Sequence, residues 1–124
     1  MTIALWAAQV LGAAFFVMHG VMFENPERAR ARLPYARALG DKTLKAIGAL
    51  EILGGAGLIV PALTGVLPWV TPLAGVGLVV IMILAIPFHV VRREWPNIGL
   101  NVVLGMIAAF VAYGRFVIEP ISAR

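Results

Sequence analysis

Three side chains in this sequence could do chemistry, and each stands in an otherwise apolar stretch: His19, Glu51 and His89. A glutamate beside one or two imidazoles can exchange protons with a bound redox ligand or serve as an acid/base pair. The same set offers two nitrogens and a carboxylate to a divalent metal with open positions. No short spacing such as HxxxH brings those donors together locally, so they would have to meet in three dimensions. Asn97 and Asn101, one helical turn apart, add amides that both donate and accept. A carboxylate set deep in hydrocarbon costs about 2.5–3.5 kcal/mol on insertion scales, so Glu51 is expected to be neutral or paired.

The surroundings of these residues dictate the class of protein. Of 124 residues, 61% are hydrophobic and 13% charged, too apolar for the interior of so small a soluble domain to hide. Four apolar segments of about 20 residues follow one another, near Ile3–Phe23, Leu44–Leu63, Leu67–Val91 and Ile98–Ile118, each long enough to cross a bilayer as a helix. Period-2 alternation is absent, and glycine and alanine recur as helix–helix contacts require. The fold class is therefore all-α, one four-transmembrane-helix domain over residues 1–124. Pro68 and Pro72 suit a turn and a helix start, and Pro87 is expected to kink the end of the third helix. The first segment lacks a basic flank and a small-residue cleavage site, so it reads as a retained helix. With no cysteine, the chain has no disulfide, thiolate ligand or dithiol redox chemistry of its own.

Charge placement orients the bundle. Arg28, Arg30, Arg32, Arg37, Lys42, Lys45, Arg92 and Arg93 occupy the first and third connections, leaving only Arg115 and Arg124 of the ten basic residues for the other side. By the positive-inside rule these connections are cytoplasmic and both termini lie outside. The net charge of +4 thus points to anionic headgroups rather than to nucleic acid. Asn25-Pro26-Glu27 is an N-cap followed by proline at the first helical position, predicting a short interfacial helix in the first loop.

Depth and phase then gather the polar residues. His19, Glu51, His89, Asn97 and Asn101 all fall in the cytoplasmic half, and the outer half shows no comparable set. Gly48, Glu51 and Gly55 share a face, as do Gly75, Met82 and His89, Gly12 and His19, and Asn97, Asn101, Gly105, Ala108 and Ala112. Small faces that pack together are the faces carrying polar groups, which predicts a shared cavity. Each residue also has a plainer reading. On that reading Glu51 serves only as a hydrogen bond across the bundle, the two histidines as headgroup contacts and Asn97 as an N-cap. Trp6, Trp69 and Trp95 suit interfacial anchors, and Arg115 is expected to snorkel to the outer surface.

The stretch Ile47–Leu58 (IGALEILGGAGL), with Pro61–Gly65 and Pro68–Ala74 after it, resembles the DoxX family in its DoxX-like bacterial branch. Phe88–Arg93 and the ending Val111–Phe116 resemble it too, in order along nearly the whole chain. The resemblance implies a multi-pass protein of the bacterial inner membrane, in a family some of whose members accompany quinone-linked sulfur oxidation or membrane oxidoreductases. It marks Glu51 and His89 as positions typical of the family, hence the candidate catalytic pair. One departure is that Gly20 is followed by Val21, Met22 and Phe23, where the family usually has a lysine three residues on; that weakens an anion or quinone site there.

Two functional readings follow. In the first, the chain is a subunit of a membrane oxidoreductase, and His19, Glu51, His89, Asn97 and Asn101 bind a quinone-like or other small apolar ligand, with no metal set assigned. In the second, it is a non-enzymatic helper whose glycine faces bind a partner's transmembrane helix. Partners are then the bilayer, a membrane or peripheral oxidoreductase, or a second copy of the chain. Solute or proton transport is the third option, although polar residues in one half do not form a continuous path.

Overall fold

The apolar segments form four long helices in the computed structural model, which describes residues 1–124. Helix α1 spans Thr2–Phe23, α3 Asp41–Thr64, α4 Val70–Val91 and α5 Trp95–Tyr113. Between the first two of these lie a short helix, α2 (Pro26–Arg32), and a 3₁₀ turn at Pro34–Ala38. A π turn at Gly114–Ile118 ends the bundle, and there is no strand. All four long helices are long and apolar enough to cross a membrane.

Local chemistry explains where the boundaries depart from the apolar runs. Helix α3 starts a turn before Leu44, because Gly40 sits extended ahead of it and Asp41 supplies an acid to the first turn. Lys42 and Lys45 are therefore helical. Helix α4 starts at Val70 rather than Leu67. Gly65 ends α3 in the left-handed region (φ 71°), Leu67 follows at φ 50°, and Pro68 disfavours the helical conformation in the residue before it. Helix α5 begins at Trp95, with Pro96 in its first turn and Glu94 at the cap position. Asn97 is thus inside the first turn and does not cap the helix. The predicted short helix is present, and the Arg28 N–H donates to Asn25 Oδ1 at 3.1 Å.

The helices form an antiparallel ring in the order α1, α3, α4, α5 and back to α1. Glycines set its tightest contacts. A Cβ on Gly20 would stand 2.6 Å from the Gly48 carbonyl oxygen, so α1 and α3 meet backbone to backbone. Gly55 faces Ala13 and Val17 farther along, Gly54 and Gly57 receive Leu78 and Ala74 of α4, and Gly75 abuts Ala108 and Ala112 of α5. Lipid tails are as apolar as leucine, so this close packing, rather than escape from water, holds such helices together. The main core of Phe16, Leu58, Leu78, Leu104, Ala108 and Val111 fills the ring's middle. A smaller cluster of Phe23, Ala29, Ala36 and Leu44 fastens α2 and the 3₁₀ turn, as a strap, across the basic end. Met18, Leu53, Leu84, Val91 and Met106 point outward, as lipid-facing residues should.

The end away from the basic loops is not purely apolar. Gln9, Thr71 and Arg115 are all buried there. The Arg115 Nε–H donates to Gln9 Oε1 at 2.8 Å, Gln9 Nε2 donates to the Leu58 carbonyl at 2.5 Å, and the guanidinium lies 5.4 Å from the Trp6 ring centre. Arg115 therefore turns inward instead of snorkelling outward, and Trp6 receives it, because hydrogen-bond acceptors await it inside the ring. Trp69 and Trp95 are exposed, in keeping with anchors.

A candidate proton-relay cavity at the basic end

One backbone contact, between α1 and α3, determines the centre of the site. Because α1 and α3 touch at Gly20 and Gly48, the residues on either side of that contact, His19 and Glu51, are pressed together. His19 Nδ1 stands 2.5 Å from Glu51 Oε2, with the Glu51 side chain 3% exposed. The other ring nitrogen, Nε2, is 2.8 Å from the hydroxyl of Tyr35, which the strap brings over the end of the bundle. Burial, with the negative charges of Glu51 and Glu94 adding to it, pushes the Tyr35 phenol up to about 12. Tyr35 consequently keeps its proton at neutral pH and can offer it to His19 Nε2, an arrangement that leaves Nδ1–H to face Glu51 Oε2. Carboxylate, imidazole and phenol form one chain along which a proton taken up at the phenol oxygen can be passed inward.

A second pair flanks the first. His89 Nδ1 lies 3.0 Å from Glu94 Oε1, and the same oxygen accepts from Arg92 Nε–H at 3.0 Å. Burial opposes ionisation of Glu94, but the hydrogen bonds from His89 and Arg92 outweigh it and hold the carboxyl below its ordinary range. The ring of His89 meets that of Tyr35 edge to face, 5.0 Å between centres. Tyr35 therefore stands between two carboxylate-supported imidazoles.

These groups border a cavity of about 330 Å³, within the size range of small-molecule sites. Phe15, Phe23, Tyr35 and Phe88 give it aromatic walls, and Ile47, Leu50, Ile81, Met82 and Leu84 give it aliphatic ones. All five polar residues singled out in the sequence, His19, Glu51, His89, Asn97 and Asn101, line it. Asn101 is buried, and its Nδ2 has no hydrogen-bond partner. Such an atom costs about 1–3 kcal/mol unless something in the cavity accepts from it. The metal arrangement does not form. His89 turns to Glu94 rather than to Glu51, and nowhere do three His, Asp or Glu side chains converge as ligands.

Tyr35 and Glu94 did not stand out in the sequence. Glu94 carried a signal, being an acid five residues after His89 and beside Arg92-Arg93. Tyr35 carried little, since its position depends on how the strap folds back.

No curated protein and no solved structure matches the chain. The profile of the DoxX-like family matches residues 7–111, a span from α1 to near the end of α5 that takes in both imidazole pairs, Tyr35 and the cavity walls. Four apolar helices and that match make this a multi-pass membrane protein belonging to the DoxX-like family.

Proposed function

We propose that the cavity binds a small, largely apolar, ring-sized ligand carrying oxygen, of the quinone or quinol class, and takes a proton from the hydroxyl of the quinol form. The observation that carries this reading is the Glu51–His19–Tyr35 chain ending at the wall of an aromatic-lined cavity. The residues present suit such a group. Aromatic rings offer stacking faces, and the unpaired Asn101 Nδ2 offers a donor to a ligand oxygen. A quinone-type ligand would supply two-electron, two-proton chemistry, with the electrons going to or coming from a membrane or peripheral oxidoreductase partner. The chain's own part is acid–base. Tyr35 oxygen accepts the quinol hydroxyl proton as its own passes to His19 Nε2, and the Nδ1 proton passes in turn to Glu51 Oε2, which leaves the imidazole neutral and the carboxyl protonated. His89, supported by Glu94, stands ready as a second proton-handling group. Glu51 and His89 are thus the proposed acid–base residues, and His19, Asn97 and Asn101 the proposed ligand contacts. The basic end faces the cytoplasm of a bacterial inner membrane in this reading, from the bias of arginine and lysine alone.

The helper reading has less support, because Gly55 and Gly105 are occupied by the chain's own Val17 and Met82 and are not free to receive a partner helix.

The test is thermal melting in mild detergent with a short-chain benzoquinone or its quinol, on wild type, Glu51→Gln and Tyr35→Phe. Ligand at about 100 times its dissociation constant should stabilise the wild type by about 2.7 kcal/mol. Glu51→Gln should stay folded and lose that gain. Full ligand stabilisation in Glu51→Gln sinks the proposal.

A further inference from the structure

A second concavity at the basic end lies apart from the relay cavity. It is a groove of about 260 Å³ on the outside of the bundle, lined by Val17, Met18, Val21 and Met22 of α1 and by Arg28 and Arg32 of α2. Its floor belongs to a lipid-facing surface, for Met18 is 72% and Val21 53% exposed. Its rim consists of two guanidiniums one helical turn apart, on the same face of α2. The strap's other arginines are engaged: Arg30 pairs with Asp41 and donates to the Leu39 carbonyl, and Arg37 donates to the Arg30 carbonyl. The side chains of Arg28 and Arg32 form no ion pair and no hydrogen bond; only the backbone N–H of Arg28 is used, in the Asn25 cap. Ala29, buried against Phe23 and Leu44, fixes the rotation of α2, so both arginines hang over the groove by construction.

We propose that this corner is a binding site for one anionic phospholipid, its phosphate held between Arg28 and Arg32 and an acyl chain lying along Val17 to Met22. Charge complementarity selects the occupant. The groove presents two unpaired cations at the mouth and only apolar atoms beneath, the polarity sequence of a lipid entering from the headgroup layer. A bidentate guanidinium suits a phosphate oxygen pair, and two of them one turn apart suit it better than a lone surface charge. Glu27 lies on α2 beside Arg28 without pairing with it, so the site keeps its positive sign. The groove shares no lining residue with the relay cavity, so occupancy of one does not depend on the other's ligand.

Native mass spectrometry of the full chain in mild detergent tests it, titrating phosphatidylglycerol and phosphatidylcholine with identical acyl chains. One phosphatidylglycerol should persist on the wild type under activation that strips phosphatidylcholine. Arg28→Gln with Arg32→Gln should weaken it about thirtyfold, at roughly fivefold per cation. Lys42→Gln with Lys45→Gln removes the same charge from the same side and should change it by no more than about threefold, since neither lysine lines the groove. Equal losses in the two double variants would mean diffuse attraction and overturn the site. So would equal retention of the two lipids, or displacement of the lipid by glycerol phosphate at equal concentration, which would make it a site for free anions.

Discussion

Replacing Gly20 by alanine puts the whole architecture of the site to the test. The added Cβ would sit 2.6 Å from the Gly48 carbonyl oxygen, 2.8 Å from Ile52 Cγ1 and 3.1 Å from Ile52 N. Two of these atoms are backbone, so no rotamer change relieves the overlap. To restore ordinary contact, α1 and α3 must part by roughly 0.7 Å at this level, and a gap of that size forfeits about a quarter to a half of the dispersion energy across it. Overpacking of this kind costs about 1–3 kcal/mol. The parting also stretches the His19–Glu51 bond from 2.5 Å, weakening a charge-assisted interaction worth roughly 1.5–3 kcal/mol. Against this stands the better helix propensity of alanine, about 1 kcal/mol. The net expectation is a loss of about 1–3 kcal/mol. Gly77 of α4 supplies the control, since a Cβ there meets nothing within 4 Å, and Gly77→Ala should be neutral or gain up to about 1 kcal/mol. Equilibrium unfolding by a denaturing detergent in mixed micelles reads both variants on one scale. If Gly20→Ala proves as stable as Gly77→Ala, the claim that backbone contact sets the dyad is wrong.

Other expectations follow from single groups. Tyr35→Phe removes the hydroxyl that meets His19 Nε2 and should lower stability by about 1 kcal/mol in equilibrium unfolding, while lessening the thermal stabilisation given by a short-chain quinol. Asn101→Leu removes an unpaired buried donor, so it should leave stability unchanged or raise it, yet weaken an oxygen-bearing ligand by about tenfold in calorimetry. Glu94 has a depressed folded-state pKa, so its contribution to stability is complete above the ordinary glutamate value and disappears as pH falls through the lower folded one. A melting series from pH 6 to pH 3 should therefore show a shallower acid decline for Glu94→Gln than for wild type.

The bundle was legible because length and apolarity alone select spanning helices, and Gly48, Glu51 and Gly55 betray their shared face by spacing. Helix starts were less so. The residues around Gly40-Asp41 and Trp95-Pro96 are polar or aromatic, and caps rather than hydropathy decide them. Arg115 shows where depth misleads and phase does not. It continues the buried stripe of Ala108, Val111 and Ala112, and that stripe points it inward toward Gln9. Of the site, the five polar residues on long helices could be gathered from sequence, because a helix translates position into depth and face. Tyr35 could not be, since a strap of two short turns carries no period from which to read its placement.

The strap makes the site half rigid and half hinged. His19 and Glu51 ride on helices whose backbones touch, whereas Tyr35 rides on a segment held by Ala29, Ala36 and the Arg30–Asp41 latch. Segments with so few buried contacts open locally long before the bundle unfolds. Each opening lifts the phenol off the imidazole while leaving the carboxylate–imidazole pair assembled. Amide hydrogens of the strap should thus exchange ahead of those in α1 and α3.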